Sequence, residues 1–278
     1  MADLQAIASQ VRRDILRMVH AVSSGHPGGS LGCADLLTYL YNERLTLNAT
    51  SFSMDGLNED LFFLSNGHIS PVWYSVLARS GFFPVEELAT FRKISSRLQG
   101  HPSVDKNLPG IRMASGSLGQ GLSVAIGAAT TKKMQGDDSM VYCLMGDGEL
   151  QEGQVWEAAM YAGSKKINNL IGIIDYNNRQ IDGDVSDVMG IMPLSDKWTA
   201  FGWEVYHMDG HSFDSMREVF ATIDSNKSNG MPKMIIMKTE MGKGVDFMMG
   251  THKWHGSAPN DEQLATALAQ LPETLGDY

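Results

Sequence analysis

The sequence has little of what a disulfide-stabilised or membrane-spanning protein needs. Its 278 residues contain two cysteines, Cys33 and Cys143, which are too few for a disulfide framework or a zinc ribbon. No apolar run reaches the roughly 18–20 residues that a membrane helix requires, and the N-terminal segment lacks the layout of a signal peptide. We therefore expect a protein of the reducing cytoplasm that does not bind membranes.

Basic side chains are also scarce. The chain has 22 lysines and arginines against 32 aspartates and glutamates, which gives a net charge of −10. Because proteins that bind nucleic acid carry basic patches, nucleic acid is not expected as a partner. A polyanionic ligand would have to be held by a metal ion or by main-chain N–H groups rather than by many lysines.

The sequence does contain short apolar runs, and these alternate along the chain with segments that have helical periodicity. Hydrophobic residues make up 43% of the chain, enough to bury a core, and we expect one domain over residues 1–278. Apolar runs predict strands at residues 61–64, 140–145, 170–175, 203–208 and 233–238. Spacing predicts helices at residues 4–22, 33–45, 84–91, 118–134, 156–162, 197–201, 213–223 and 262–271, and one that begins at Ser70-Pro71. This alternation indicates an α/β fold with a mostly parallel sheet and helices on both faces.

Polar residues follow two of the predicted strands. Asp147 lies between Gly146 and Gly148 after one strand, and Asn177 follows the next strand along the chain. A right-handed crossover brings both strand ends to one edge of the sheet, where ligands of such folds bind. A carboxylate, an amide oxygen and a main-chain carbonyl form an oxygen set that suits Mg²⁺. The sequence therefore predicts a magnesium site with glycines that let a phosphate approach the backbone.

Histidines are concentrated in glycine-rich segments. Four directly follow a glycine, namely His26, His68, His101 and His211, and two more, His252 and His255, lie between Gly250 and Gly256. Loop histidines are often functional, although any single one can simply be bonded to a carbonyl group. The spacing of zinc ligands is missing, because no pair of histidines stands four residues apart with a glutamate.

Several motifs together resemble those of the transketolase family. Gly146-Asp147-Gly148 followed by Asn177 is similar to the fingerprint of enzymes that use thiamine diphosphate. The other motifs follow in transketolase order: Ser24-Gly25-His26-Pro27-Gly28, Leu64-Ser65-Asn66-Gly67-His68, Gly100-His101-Pro102, Gly116-Ser117-Leu118-Gly119-Gln120-Gly121, Ile181-Asp182-Gly183, Asp209-Gly210-His211 and residues 250–256. The resemblance covers about residues 5–260. It implies the thiamine-diphosphate-binding fold of a diphosphate-binding domain, with thiamine diphosphate and Mg²⁺ as cofactors.

The resemblance also implies binding roles for individual residues. Asp147, Asn177 and the main-chain oxygen of Arg179 would be the metal ligands. The residues implied at the cofactor are His68, Gly116, Ser117, Leu118, Gly148, Glu152 and His255. Ser117 stands where the family commonly has proline, so the packing around the cofactor is expected to differ there.

Further residues are implied in catalysis and in coupling. His26 would contact the ketose hydroxyl groups and assist proton transfer, with His101 nearby, and His255 would touch both diphosphate and substrate. Glu152 and Glu157 resemble the acids that couple paired sites across a subunit interface; each could instead simply favour the start of its helix.

The resemblance extends to only one of the three domains of a complete transketolase. It implies a separate C-terminal subunit with the pyrimidine-binding domain, an (αβ)2 assembly, and two-carbon ketol transfer from a ketose phosphate to an aldose phosphate. The glutamate that activates the cofactor belongs to that missing domain. Two alternatives stay open: the α subunit of a 2-oxo acid dehydrogenase or a related synthase, and a module that binds thiamine diphosphate without turnover.

Overall fold

A twisted parallel sheet forms the centre of the protein in the computed structural model, which describes residues 3–226 and 229–278. The strands of these residues are β1 Leu61–Leu64, β2 Val141–Gly146, β3 Leu170–Tyr176, β4 Arg179–Gln180, β5 Gly183–Asp184, β6 Glu204–Asp209 and β7 Lys233–Lys238. The main sheet has the strand order β1-β2-β3-β7-β6, and β4 pairs with β5 in a separate antiparallel ribbon.

Helices surround this sheet. The α-helices of the described ranges are α1 Leu4–Ala21, α2 Pro27–Gly32, α3 Ala34–Tyr39, α4 Ser70–Arg79, α5 Gly121–Gln135, α6 Gly153–Ser164, α7 Val185–Met189, α8 Leu194–Ala200, α9 Phe213–Ser225 and α10 Asp261–Gln270. None of them, over the residues that the structure describes, combines the length and the apolar character needed to cross a bilayer.

Each face of the sheet packs into its own hydrophobic core. Along β2, Tyr142 and Leu144 point into the core that also contains residues of α1, α3, α4 and α9. Val141, Cys143 and Met145 point to the other side, where α5, α6 and α8 pack. Successive side chains of a strand alternate between faces, so burial on both sides requires the continuous apolar runs seen in the sequence.

The predicted fold class is therefore confirmed. The five predicted strands are present with ends shifted by no more than about one residue, a shift within the usual uncertainty of element boundaries. The helix predicted for residues 33–45 consists of α3 followed by a π-helical turn at Leu40–Arg44, and the one predicted for 84–91 is a 3₁₀ helix at Val85–Thr90.

Helix α2 has no counterpart among the predicted helices, because its sequence Pro-Gly-Gly-Ser-Leu-Gly has low helix propensity. Tertiary packing explains it. A Cβ atom at Gly28 would lie 2.6 Å from Met241 Cγ, and one at Gly32 would lie 3.0 Å from the Glu240 carbonyl oxygen. The glycines thus let α2 approach the segment after β7 closely, and this contact holds the helix next to the sheet edge.

Candidate functional site

The tips of β2 and β3 bring Asp147 and Asn177 together. Gly146 is the register partner of Asp175 in the parallel pair β2–β3. Asp147 and Asn177, which follow these strands, therefore leave the sheet side by side at the same edge. The Asp147 carboxylate accepts hydrogen bonds from the main-chain N–H groups of Gly148 at 2.8 Å and of Asn178 at 2.5 Å. Although 31 residues separate Asp147 from Asn178, the hydrogen bond from the Asn178 main chain to the Asp147 carboxylate therefore joins the two loops.

Asp147 has a second carboxylate beside it. Asp175 is buried under the tip of β3, where Thr239 donates its hydroxyl hydrogen and Asn177 its amide hydrogen to the Asp175 carboxylate. Burial, and then the negative charge of Asp175, raise the pKa of Asp147 to about 7. This concentration of buried negative charge would be relieved by a bound cation.

Asn177 and Arg179 form a tight turn next to these carboxylates. The Asn177 side chain donates to Asp175 at 2.8 Å, and its oxygen accepts the main-chain N–H of Arg179 at 2.8 Å. Asn178 has a left-handed φ of 58°, which reverses the chain there. The Arg179 guanidinium forms an ion pair with Asp184 across the β4–β5 ribbon. The arginine side chain is thereby turned to its own ribbon and to the Gly250 carbonyl, to which it donates at 3.4 Å, and only its main chain belongs to the turn.

Four of the loop histidines meet a short distance from this edge. The ring centroids of His26 and His68 are 5.0 Å apart, those of His68 and His255 are 5.0 Å apart, and those of His26 and His255 are 5.6 Å apart. His101 lies further out, with its centroid 6.4 Å from that of His26. We call His26, His68, His101 and His255 the histidine cluster.

Different elements deliver each histidine. His26 immediately precedes α2, and His68 lies in the 3₁₀ turn between β1 and α4. The Ser70 hydroxyl at the start of α4 donates to the Gly100 carbonyl at 2.8 Å, which brings the His101 loop onto the same face. Gly116, with φ of 137°, lies so close to His101 that a Cβ atom would be 2.9 Å from its ring.

The cluster is uncharged at neutral pH. Burial, followed by the proximity of His255, Arg92 and His101, lowers the pKa of His26 to about 4. Burial likewise lowers the pKa of His68, His101 and His255. Neutral imidazoles have one nitrogen free to accept a proton or hydrogen bond, so they can bind hydroxyl groups and move protons.

Glu149 is a site residue that sequence reasoning missed. It is 2% exposed, and its carboxylate accepts the Ser65 hydroxyl and the main-chain N–H groups of Gly119, at 2.8 Å, and Gly146, at 3.0 Å. One side chain therefore joins the tips of β1 and β2 to the start of α5. Its signal in the sequence is a second acidic residue, directly after Gly146-Asp147-Gly148, in a loop that follows a buried strand.

The carboxylates and histidines line one cleft of about 330 Å³. The predicted site residues that line it are His26, His68, Gly116, Leu118, Asp147, Gly148, Glu152, Asn177, Arg179 and His255. Gly146, one of the glycines of the predicted phosphate site, also lines it. The lining residues to which the sequence analysis gave no role are Gly29, Asn66, Ile69, Glu149, Gln151, Asp175, Gln180, Ile181 and Met241.

Three predicted residues lie elsewhere. His101 stands behind Gly116 and does not line this cleft. Ser117 is exposed and borders a neighbouring hollow with Ser65 and Gln120. Glu157 lies on the outer face of α6, beside a further hollow that includes Tyr161.

Unpaired polar atoms show that the cleft fits a polar ligand. Among the described residues, Asn66 Oδ1, His26 Nδ1 and His255 Nδ1 are buried and have no hydrogen-bond partner within the protein. Buried polar atoms are normally paired, so these atoms are available to a ligand. No three His, Cys, Asp or Glu side chains in residues 3–226 and 229–278 are grouped to hold a metal. A magnesium ion here would therefore also need amide and carbonyl oxygens.

Known proteins share this architecture. Residues 4–273 match the family model described as "Transketolase, thiamine diphosphate binding domain". The chain is 38% identical over 269 residues to a 6-deoxy-6-sulfo-D-fructose transketolase subunit of Clostridium sp. (strain MSTE9), which covers 97% of the chain and 96% of that protein. It is 37% identical over 272 residues to an apulose-4-phosphate transketolase subunit of Phocaeicola vulgatus, with 98% and 95% covered.

Longer proteins match over a part of their length. The crystal structure of transketolase from Campylobacter jejuni superimposes with a TM-score of 0.88 at 36% identity, covering 96% of this chain and 42% of that one. Human transketolase is 36% identical over 269 residues, which are 96% of this chain and 41% of that protein. The chain thus spans nearly all of the two subunits and about two-fifths of these two longer proteins.

Proposed function

This chain belongs to the transketolase family, as its thiamine diphosphate-binding domain, and from that premise we propose that it is the cofactor-binding subunit of a two-subunit transketolase. The observation that carries the proposal is the single cleft in which the tips of β2 and β3, with Asp147 and Asn177, open toward the histidine cluster. We further propose that residues 1–278 act as one domain.

The strand tips would hold the diphosphate end of the cofactor through Mg²⁺. Asp147, Asn177 and the main-chain oxygen of Arg179 would be the metal ligands, and a carboxylate, an amide and a carbonyl suit this ion. The residues that would lie against the cofactor are His68, Gly116, Ser117, Leu118, Gly148, Glu152 and His255. When bound, thiamine diphosphate supplies the stabilisation of a carbanion on the substrate's carbonyl carbon.

The histidine cluster would handle hydroxyl groups and protons. Because its pKa is lowered, His26 is neutral at pH 7 and its imidazole can accept a proton from a sugar hydroxyl as the carbon–carbon bond breaks. His255 packs beside both His26 and His68, with a buried Nδ1 that has no partner within the described protein. His101 supports the cluster from behind Gly116, and its proposed part in catalysis is as a neighbour of His26.

The proposed reaction is transfer of a two-carbon ketol unit from a ketose phosphate to an aldose phosphate. The two relatives of matching length carry the names of a sulfonated ketose and a ketose phosphate. Both are ketoses with an anionic group at the far end of the molecule. We therefore propose a donor of this class for the present chain.

A partner subunit is part of the proposal. The two relatives of matching length reported above are named as subunits, whereas human transketolase contains the matching segment within a chain that is more than twice as long. We propose a partner with a pyrimidine-binding domain in an (αβ)2 assembly, in which Glu152 and Glu157 connect paired sites. The two cysteines, Cys33 and Cys143, are buried and unpaired, in keeping with the reducing cytoplasm that we propose as its location.

The proposal is tested by assay with and without the partner. The purified chain is given thiamine diphosphate, Mg²⁺ and fructose 6-phosphate as donor, and aldose phosphate release is measured before and after addition of the pyrimidine-domain subunit. We expect release only from the mixture. Clear turnover by the chain alone would refute the two-subunit hypothesis, and cofactor binding without turnover in the mixture would favour a binding module.

The 2-oxo acid dehydrogenase alternative is tested in the same mixture. The family match and the named relatives do not favour it. Pyruvate replaces the ketose phosphate as substrate, and the proposal expects no reaction with it.

A further inference from the structure

Residues 239–256 connect the end of β7 to His255 with little regular structure. The segment contains turns and one 3₁₀ helix at His252–Trp254, and two of its residues, Met241 and His255, line the cleft. The segment itself forms no strand and no α-helix, and it is held by contacts with its neighbours, such as the two hydrogen bonds between Asp246 and Gln270 of α10 at 2.9 and 2.7 Å. The position of His255 therefore depends on the individual contacts that anchor the segment to the rest of the fold.

The first of these contacts involves His211, in the loop between β6 and α9. The main-chain N–H of Glu240 donates to His211 Nε2 at 2.8 Å, while His211 Nδ1 lies 2.9 Å from Asp35 Oδ2. A main-chain N–H can only donate, so Nε2 must be unprotonated and Nδ1 must carry the hydrogen that goes to Asp35. The two contacts together hold the imidazole in one tautomer and one orientation.

Asp35 is itself fixed. Arg12 donates to both Asp35 oxygens, at 2.9 and 2.6 Å, and both side chains are buried between α1 and α3. The chain of contacts thus runs from the helical core through Asp35 and His211 to the main chain of Glu240. It connects a rigid part of the protein to the start of an irregular segment.

Glu240 passes this restraint on to His255. Its carboxylate accepts the main-chain N–H of Gly250 at 2.8 Å, just before the turn that carries His255. The next residues are held against α2, where the Gly242 N–H donates to the Gly28 carbonyl at 2.9 Å. If Glu240 shifts, Gly250 loses this hydrogen bond and keeps, among the described residues, only the longer one, of 3.4 Å, that the Arg179 guanidinium donates to its carbonyl.

We propose that His211 is a positioning residue that sets the place of His255 in the cleft through Glu240. His211 does not line that cleft; it lines a neighbouring hollow together with Tyr176 and Glu240. The catalytic consequence rests on the proposed function, whereas the placement of His255 rests only on these contacts. A role in stability alone would need only the contact of Nδ1 with Asp35. The proposed role also needs the contact of Nε2 with the Glu240 N–H, so this second contact distinguishes the two roles.

Two replacements of His211 separate the contact made by Nδ1 from the contact made by Nε2. In His211→Asn the amide nitrogen can still donate to Asp35 in place of Nδ1, but the side chain is too short to reach the Glu240 N–H. In His211→Gln the longer amide can place its oxygen near the position of Nε2 and accept that N–H. The matched control is His20→Asn, because His20 also contacts an aspartate, Asp261, at 2.8 Å but lies away from the cleft.

The first measurement is hydrogen exchange of peptides from residues 239–256 in the full chain, read by mass spectrometry. We expect exchange at least about 10-fold faster in His211→Asn than in the native chain, and near-native exchange in His211→Gln and His20→Asn. Native exchange in His211→Asn would overturn the inference. Equally fast exchange in His211→Asn and His211→Gln would also overturn it, because the Glu240 hydrogen bond would then not be the cause.

The second measurement separates this inference from the proposed function. In the mixture with the partner subunit, His211→Asn should lower kcat by about 10-fold or more, as misplacement of a reacting group does. Because His255 would also lie against the cofactor, the Kd for thiamine diphosphate with Mg²⁺ should rise as well, and His211→Gln should restore both kcat and Kd. If the native mixture is inactive, the proposed function fails while the exchange result still decides the role of His211. If it is active and His211→Asn matches it in kcat and in exchange, only the present inference fails.

Discussion

The carboxylate of Glu149 accepts the main-chain N–H of Gly119 at 2.8 Å, although 30 residues separate them in the chain. The same side chain accepts the Ser65 hydroxyl and the Gly146 N–H. Three loops that border the cleft therefore meet at one buried acid. The relative position of the three loops therefore depends on the Glu149 carboxylate, and none of its three hydrogen bonds involves a predicted metal ligand.

Glu149→Gln should destabilise the fold. The new amide group would direct its N–H hydrogens at main-chain or hydroxyl donors, which leaves buried donors unpaired. We expect the free energy of unfolding to fall by about 2 kcal/mol or more, on the scale of a lost buried hydrogen bond to a charged group. Urea unfolding at pH 7 measures it, with Glu218→Gln on the exposed face of α9 as control. Equal loss in both variants would contradict the prediction.

Asp147→Ala should abolish magnesium-dependent cofactor binding. Removal of a carboxylate ligand weakens ion coordination by several kcal/mol, so no binding of thiamine diphosphate with Mg²⁺ should be detectable by calorimetry at cofactor concentrations that saturate the native chain. Asp196→Ala is the control, because Asp196 is exposed on α8 and does not line the cleft. Native affinity in Asp147→Ala would show that the metal lies elsewhere.

The histidine cluster should make the fold acid-sensitive. His26 has a pKa of about 4 in the folded chain, mainly because it is buried, against about 6.5 when unfolded. Between these values the unfolded state binds the extra proton. The stability linked to His26 is therefore complete above pH 6.5 and declines as the pH falls toward 4. NMR titration of the His26 ring tests this, and a midpoint near 6.5 would contradict it.

Asp277 should contribute to stability in a more acidic range. Arg13 donates to both of its oxygens, at 2.9 and 2.7 Å, and this pairing lowers the pKa of Asp277 to about 2. The contribution is complete above the unfolded value of about 4 and is lost as the pH falls through 2. Asp277→Asn should cost about 1 kcal/mol at pH 7, since the pair is partly exposed to solvent.

Urea unfolding of Asp277→Asn at pH 7 and pH 3 provides the measurement. The difference from the native chain should shrink at pH 3, because the Asp277 carboxyl of the unfolded chain, with a pKa of about 4, is then largely protonated while that of the folded chain is still ionised. Asp55→Asn, at an exposed position, serves as control. A difference that stays constant or grows with acidification would be inconsistent with the Arg13 pairing.

Local pattern determined much of this protein from sequence alone. The apolar runs predicted the strands, since a strand buried on both faces must be apolar throughout. The crossover rule predicted that Asp147 and Asn177 would emerge at neighbouring strand ends, and the register of Gly146 with Asp175 agrees. The glycine-rich segments pointed to the four members of the histidine cluster, although His211, in the same kind of loop, lies outside it. All of these are properties of residues close together in the chain.

Only the tertiary structure decided how distant loops meet. It places β7 between β3 and β6, and it folds a glycine-rich stretch into α2 because Met241 and Glu240 pack against it. It also assigns Glu149 and His211 to hold loops, and puts His101 and Ser117 beside the main cleft rather than in it. These outcomes depend on hydrogen bonds and packing between residues far apart in sequence. No local periodicity encodes such contacts, because the partner of each group becomes defined only when the sheet has assembled.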